Sequence, residues 1–466
     1  MLFDSPIFFV FLIPVVAVYW KLPPRQQNLF LLAASYFFYG WWDWRFLLLM
    51  ATSTVFDYLI ALRIARAEQV NVRRAWMLGS IVLNLSFLGT FKYFNFFVGS
   101  FAGLLHTLGV QQVPMLALRI LLPPGISFYT FQAIAYIVDV YKGKTKPSES
   151  LLDYAVFISL FPHLIAGPIQ RPGHLLPQIQ QRRHFDESRF FDGLLLIVSG
   201  LFRKCIIADN CALIANAAFG GRLGSPNVFV VLLGTYAFAW QIYGDFSGYS
   251  DIARGAAQLM GFHFMINFRQ PYLATNLQEF WKRWHISLST WIRDYIYLNL
   301  RLTYRNLLWT MLICGLWHGA NWTFVLWGGM HGIVMALERL GMQLRGISAR
   351  FARPGPVKAW AKRILLFHFL CFTWIFFRAG SLSAAVQFLE GIRVFSWSPI
   401  YLIAFKFLAL FSIPLFLVDL INENGGTEYL FQDRSPMFRV ATGLAAAVLI
   451  VLFSANEAST FVYFQF

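Results

Sequence analysis

The sequence predicts an all-α integral membrane protein that threads the bilayer many times, and three observations carry that expectation. Hydrophobic residues make up 58 % of the 466 positions and charged residues only 13 %, against roughly 45–50 % and about 25 % in soluble proteins. Apolar blocks long enough for membrane helices recur along the chain, one span needing about 20 mostly apolar residues. The short polar breaks between them carry a basic excess. Together these features exclude a disordered chain, a disulfide-stapled scaffold and an ordinary cytosolic enzyme.

The apolar blocks, in order, are 7–20, 29–42, 46–62, 76–97, 104–125 with its continuation to 141, 151–167, 190–207, 228–243, 307–340, 364–377, 401–420 and 438–453. They predict about 10–13 membrane-embedded segments, not all of them crossing. The stretch before the first block has no basic n-region and no small-residue cleavage pattern comes after it, so block 7–20 reads as a retained first span. Pro123-Pro124-Gly125 and Pro162 to Gly167-Pro168 break helices inside apolar sequence. Backbone groups freed in lipid must be satisfied by protein or water, so these breaks suggest re-entrant segments lining a cavity, or plain helix ends. No fixed-period repeat or interdomain linker is visible, and residues 1–466 read as one integral domain.

Lys and Arg number 38 and Asp and Glu 22, a net +16. Cytoplasmic loops of membrane proteins are enriched in Lys and Arg, which accounts for the excess without nucleic acid. Lys21 and Arg25, then Arg63, Arg66, Arg73 and Arg74, then Lys142, Lys144 and Lys146 form basic loops, while the connections around Asp43 and 99–109 carry little positive charge. The rule puts the basic loops in the cytoplasm and the N-terminus outside. Cys205, Cys211, Cys314 and Cys371 form no CxxC pair, so they are expected as small core residues with no metal or disulfide role.

The stretch 254–305 departs from the pattern. It runs Asn267-Phe268-Arg269-Gln270-Pro271-Tyr272, then Phe280-Trp281-Lys282-Arg283-Trp284-His285, then Trp291-Ile292-Arg293-Asp294-Tyr295. It is too charged for a free span and too apolar for a solvated loop. An amphipathic helix over 277–300 fits, lying in the interface or plugging a funnel.

Ionisable groups at membrane depth are costly, so His163, His285, His318, His331 and His368, in or beside apolar sequence, are candidates for function. For each, a hydrogen-bonded structural histidine is the competing reading. His318 stands out in Gly315-Leu316-Trp317-His318-Gly319-Ala320-Asn321-Trp322. Gly315 and Gly319 share a helix face and admit another backbone or a ligand, and two tryptophans wall the site. A neutral imidazole suits proton abstraction from a hydroxyl near neutral pH. On one continuous helix His331 would face away from His318 and ranks lower. His285, on the amphipathic helix, shares a face with Trp281 and Ser289, which suggests a histidine held at the mouth or base of a cavity; alternatively it snorkels at the interface. Asp245 and Asp251 sit in an aromatic, Gly-rich run that would line a polar path or mark a helix break. No G-x-S-x-G, Walker A, G-x-G-x-x-G or H-E-x-x-H occurs, so serine hydrolysis, nucleotide-driven transport, Rossmann redox chemistry and a helix-local metal site lack support. A transporter or channel for a polar solute or lipid-linked sugar competes, since broken helices and intramembrane histidines suit it too. Two neighbouring histidine signatures without an inverted repeat speak against that alternative.

These signatures resemble those of the membrane-bound O-acyltransferase (MBOAT) family. The run 280–289 with Trp291-Ile292-Arg293-Asp294-Tyr295 is similar to its central signature, and 315–322 to the signature around its histidine. Residues 124–132, Phe161-Pro162-His163, Ala166-Gly167-Pro168, the run 245–251 and the ending 461–466 match the bacterial branch, which O-acetylates exopolysaccharides such as alginate and peptidoglycan. One departure is visible: Leu298-Asn299-Leu300-Arg301 comes after Tyr295-Ile296-Tyr297 where relatives often carry Pro-Leu-Gly-Gly. The resemblance implies a ring of tilted helices with re-entrant segments and a central funnel or tunnel in a bacterial inner membrane. It implies His318 as catalytic histidine and His285 as the second polar site. It further implies acetyl-CoA as co-substrate with no permanently bound cofactor or metal, a polysaccharide acceptor, and an extracytoplasmic esterase-like acetyltransferase partner; the basic Lys282, Arg283 and Arg293 are expected to attract the phosphates of such a donor.

Overall fold

The computed structural model describes residues 1–110, 121–300, 303–344, 355–429, 432, 434–455, 459 and 461–462. Part of block 104–125, Arg301 and the last four residues of the closing motif lie outside them. Among the described residues there are helices and no strands. Among the described residues six helices are long and apolar enough to cross a membrane: Arg45–Arg66, Val70–Thr107, Val228–Leu259, Pro356–Arg378, Pro399–Gly425 and Pro436–Phe453. Shorter apolar helices such as Pro6–Tyr19 add embedded segments. The expected all-α membrane protein is therefore what forms. The chain, read from its sequence as one domain, is organised as two compact units, one comprising Met1–Gly193 with Ala256–Met265, the other Leu194–Gly255 with Ile266–Phe466.

In the first unit, polar side chains buried among apolar helices act as ties. The Asp57 carboxylate accepts from Ser80 Oγ at 2.6 Å and from Asn84 Nδ2 at 3.0 Å, joining Arg45–Arg66 to Val70–Leu88. Helix association in lipid gains little from the hydrophobic effect, so such bonds supply specificity. The Arg183 guanidinium donates to Tyr19 Oη, to Asn28 Oδ1 at 2.6 Å and to the Ile179 carbonyl at 2.8 Å, tying the segment after Pro172–Gln180 to the first two helices. The two proline breaks pack on one another. Gly125, at φ +74°, caps Ile126–Tyr141, and a Cβ there would lie 2.3 Å from the Leu164 carbonyl oxygen of the short helix Phe161–Leu164. The freed backbone is thus covered by protein, as lipid depth requires.

The second unit carries the histidine signatures. Tyr304–His318 and Trp322–Leu344 form a tight helical hairpin, with Pro356–Arg378 packed against the latter. The hairpin's closeness comes from glycine. A Cβ on Gly315 would lie 2.2 Å from the Phe324 carbonyl oxygen, and one on Gly328 2.2 Å from that of Met311. The backbone approach expected at Gly315 is met, with the partner helix supplied by the next element in sequence.

The single amphipathic helix expected over 277–300 is broken. Leu277–Arg283 and Ile286–Ile292 are separate short helices, and Arg293–Tyr297 is a π-helical turn. The break falls at His285, whose φ of +43° is left-handed. Periodicity does not reveal it because the apolar spacing continues through the break.

Gly315→Ala should cost about 1–3 kcal/mol by overpacking, read as a lowered Tm of the detergent-purified protein. An unchanged Tm would mean that the two helices do not touch there.

Candidate active site

His318 is the last residue of its helix, and the turn after it holds it there. The chain extends through Gly319 and turns at Asn321, whose Oδ1 accepts the Thr323 amide at 3.0 Å to start the next helix, while its Nδ2 donates to the Gly380 carbonyl at 2.9 Å. The His318 imidazole is 3 % exposed. It packs edge-on against Trp327 at 5.1 Å, Phe377 at 5.3 Å and Trp317 at 4.9 Å between ring centroids. A polar ring framed by aromatic edges and faces has its position fixed by packing.

His285 is held by backbone pairing. Residues 267–269 run beside the break: Arg269 N donates to the Arg283 carbonyl at 2.9 Å and Ile286 N to the Asn267 carbonyl at 2.9 Å. The buried Asn267 side chain accepts from Ser287 N and Oγ at 3.2 and 2.9 Å and donates to Ser250 Oγ at 3.1 Å. These bonds fix both flanks of a left-handed non-glycine residue, a conformation that costs on the order of 1–3 kcal/mol and persists where surroundings over-determine it. Such strain clusters at functional sites. Gln270, at φ +40°, is a second instance at the end of the same pairing. Asn267 is visible in sequence only as part of an aromatic, semi-polar run, and its partners lie up to 20 residues away.

The structure brings the two histidines to one tryptophan. Trp317 lies 5.9 Å from the His285 ring and 4.9 Å from that of His318, while Phe246 stands edge-on to His285 at 4.6 Å. His331 does not face away, as a continuous helix would require. The turn at 319–321 redirects it, and His331 and His318 both pack on Trp327, at 4.5 and 5.1 Å. His331 is tied to Thr373 Oγ1 at 3.1 Å, a positioning bond sequence reasoning missed. The remaining intramembrane candidates lie elsewhere. His163 is buried in the first unit and His368 pairs with Tyr236 Oη at 2.8 Å on an exposed helix face. Asp245 and Asp251 do not mark a helix break. Val228–Leu259 runs through both, and both are ion-paired, Asp245 to Lys204 at 2.9 Å and Asp251 to Arg254 at 3.4 Å.

A cavity of about 690 Å³ opens beside the site, within the range of small-molecule pockets. Its lining includes Trp281, Cys314, Lys282, Arg293 and Arg339, with no carboxylate among its lining residues. Cys314 precedes His318 by one helical turn, and Trp281 touches Trp327 at 5.8 Å; neither His318 nor His285 itself lines the cavity. Cys314, expected as a core residue, is thus also a wall. Arg283, read from sequence with Lys282 and Arg293 as a phosphate attractor, is committed elsewhere. It pairs with Glu279 at 2.6 Å and doubly with Glu423 at 2.6 and 2.9 Å. Burial alone would lower its pKa, but the hydrogen bonds and charges of these two carboxylates outweigh burial and raise it. With Arg293 paired to Asp294 at 2.8 Å, Lys282 and Arg339 leave the lining a cationic excess that favours an anionic guest.

The MBOAT, membrane-bound O-acyltransferase, family matches residues 148–379, the segment that contains both histidines. The chain is 39 % identical to the probable alginate O-acetylase AlgI of Azotobacter vinelandii, over the whole of both chains. It is 43 % identical to the protein of the same name from Pseudomonas aeruginosa, covering 85 % of this chain and 75 % of that one. With the peptidoglycan O-acetyltransferase of Helicobacter pylori it shares 35 % identity, over 84 % of this chain and 80 % of the relative. Together with the helical membrane fold, these matches establish that the chain is a multi-pass membrane O-acyltransferase and belongs to the membrane-bound O-acyltransferase family.

Proposed function

We propose that this protein passes an acetyl group from a cytoplasmic thioester, acetyl-CoA, to hydroxyls of an extracytoplasmic polysaccharide, in a bacterial inner membrane. The observation that carries the reading is the placement of His318, one helical turn beyond the cavity wall at Cys314 and framed by Trp317, Trp327 and Phe377. The O-acetylating relatives support the acetyl group and the class of acceptor.

These positions support the following chemistry. The donor's phosphates sit near Lys282, Arg293 and Arg339, and its thioester points toward Trp281 and Cys314. A neutral His318 nitrogen takes the proton of the acceptor hydroxyl as its oxygen attacks the thioester carbonyl. The carbon–sulfur bond breaks, and the thiolate leaves with the proton that His318 returns. His285, across Trp317, orients the acceptor or stabilises the developing oxyanion. The acceptor is a serine of an esterase-like partner, which relays the acetyl group, or the sugar hydroxyl itself. The relay is the preferred route, because a polymer is too bulky for a site walled by three aromatic rings.

Four outcomes test this. His318→Ala should lower acetyl transfer by about 10²–10⁴-fold, the usual worth of a general base, while insertion and purification yield are unchanged; full activity would reject the role. His285→Ala should cut transfer about 10²-fold, and a loss merely proportional to lower expression would make His285 structural. Acetyl-CoA should slow maleimide labelling of Cys314, followed by mass spectrometry; labelling unaffected at saturating donor would place the donor elsewhere. Asn267→Leu should cost about 1–3 kcal/mol by leaving the Ser287 donors without an acceptor and lower kcat more than donor KM; an unaffected kcat would uncouple the break at His285 from catalysis.

A further inference from the structure

Beside the histidine site a second polar cluster is buried that the proposed chemistry does not use. The Lys204 ammonium, 1 % exposed, sits in the π-helical turn Phe202–Ala208. It pairs with Asp209 at 2.8 Å and Asp245 at 2.9 Å and donates to the Ser459 carbonyl at 2.8 Å. The same two carboxylates hold the end of the chain. Asp209 Oδ1 accepts from Ser459 Oγ at 2.6 Å and from Ser459 N at 3.3 Å, and Asp245 Oδ2 accepts from Val462 N at 2.7 Å.

Between these anchors Phe461, 2 % exposed, stacks on Tyr249 at 4.4 Å and lies 6.0 Å from Phe246. Phe246 is the ring edge-on to His285. The order of contact is therefore Lys204 with its carboxylates, Ser459 and Val462, Phe461, Phe246, His285. A buried ammonium and two carboxylates are expensive to desolvate and are often replaceable by apolar residues without loss of stability. The cluster's distinguishing product is the placement of Ser459, Phe461 and Val462.

We propose that Lys204, Asp209 and Asp245 form a clamp that holds Ser459, Phe461 and Val462 as a wall behind Phe246, and that this wall positions and shields the His285 imidazole. Lys204 is a positioning residue: it acts on His285 through Phe461 and Phe246. The inference rests on His285 belonging to the site only for its effect on rate; the shielding is a matter of geometry and is read separately.

The test is carbethoxylation of the purified full-length protein by diethyl pyrocarbonate, with His285 and His163 quantified by mass spectrometry. Both are buried, but His163 belongs to the other unit and reports general loosening. Phe461→Ala leaves every ion pair of the clamp intact, and Lys204→Met removes its centre. In both, labelling of His285 should rise at least about five-fold as the local barrier to opening falls, with His163 unchanged. Acetyl transfer should lose about tenfold in kcat through misplacement, with donor KM unchanged. If Lys204→Met fails to fold, Phe461→Ala decides alone. His285 remaining as unreactive in folded Phe461→Ala as in the parent, or His285 and His163 becoming reactive together, would overturn the clamp. Selective labelling with an unchanged kcat would uphold the clamp's shielding of His285 and reject His285 as part of the catalytic site.

Discussion

Peptide groups inside a bilayer have no water to bond to, and at His285 the second unit interrupts its helices in spite of this. Each peptide group released at such an interruption needs a protein partner. At His285 the partner is the extended run 267–269, which supplies a backbone acceptor on one side of the break and a donor on the other, while the Asn267 side chain caps the next helix. Remove that pairing and the Trp281 helix and the Ser289 helix have no reason to part at His285. The left-handed turn, the placement of the imidazole against Phe246 and Trp317, and the exposure of Lys282 and Ser289 to the cavity all descend from it.

The helical hairpin solves the matching problem for His318 by different means. There the interruption is a three-residue turn, and the rigidity comes from glycine contact between helices and from a wall of aromatic rings. Trp327 is shared by His318, His331, Trp281 and Trp374. One large ring therefore couples both arms of the hairpin to the Leu277–Arg283 helix and to Pro356–Arg378. Interiors packed this tightly transmit displacement, so the cavity wall at Trp281 and the imidazole at His318 cannot shift independently. Ring contact gives a mechanical link between the cavity and the His318 imidazole although the cavity stops one turn short of it.

Composition sufficed for the all-α membrane class, because burial in lipid imposes its hydropathy on every span. His318 was legible for a local reason, since Gly315, Trp317 and Asn321 lie within seven consecutive residues; Trp322, expected as a wall, is instead exposed, and Trp327 and Phe377 complete the frame. His285 was legible as a residue but not as a conformation, since the break depends on Asn267 and on Ser250 beyond it. His331 was misjudged because a periodicity argument assumes an unbroken helix, and the turn at Asn321 lies between. Arg283 looked like a ligand for phosphate because its partner Glu423 is 140 residues distant. Local chemistry shows in a sequence; pairing across helices does not.

Arg283 and Lys282 adjoin one another, yet their surroundings divide them by role, and the division extends to the other charges in this chain. Arg283, Lys204 and Arg254 each meet carboxylates, and Asp57 is gripped by serine and asparagine donors. A charge so compensated has already spent its electrostatic attraction inside the protein and exerts little field beyond it. The cavity differs. Lys282 and Arg339 line it without any carboxylate in the lining, Arg339 donating to the Tyr297 hydroxyl at 2.7 Å, while the third lining cation, Arg293, is paired with Asp294 at 2.8 Å. In a chain that neutralises charge so thoroughly where charge is structural, a walled space that keeps a cationic excess suits an anionic guest brought from outside.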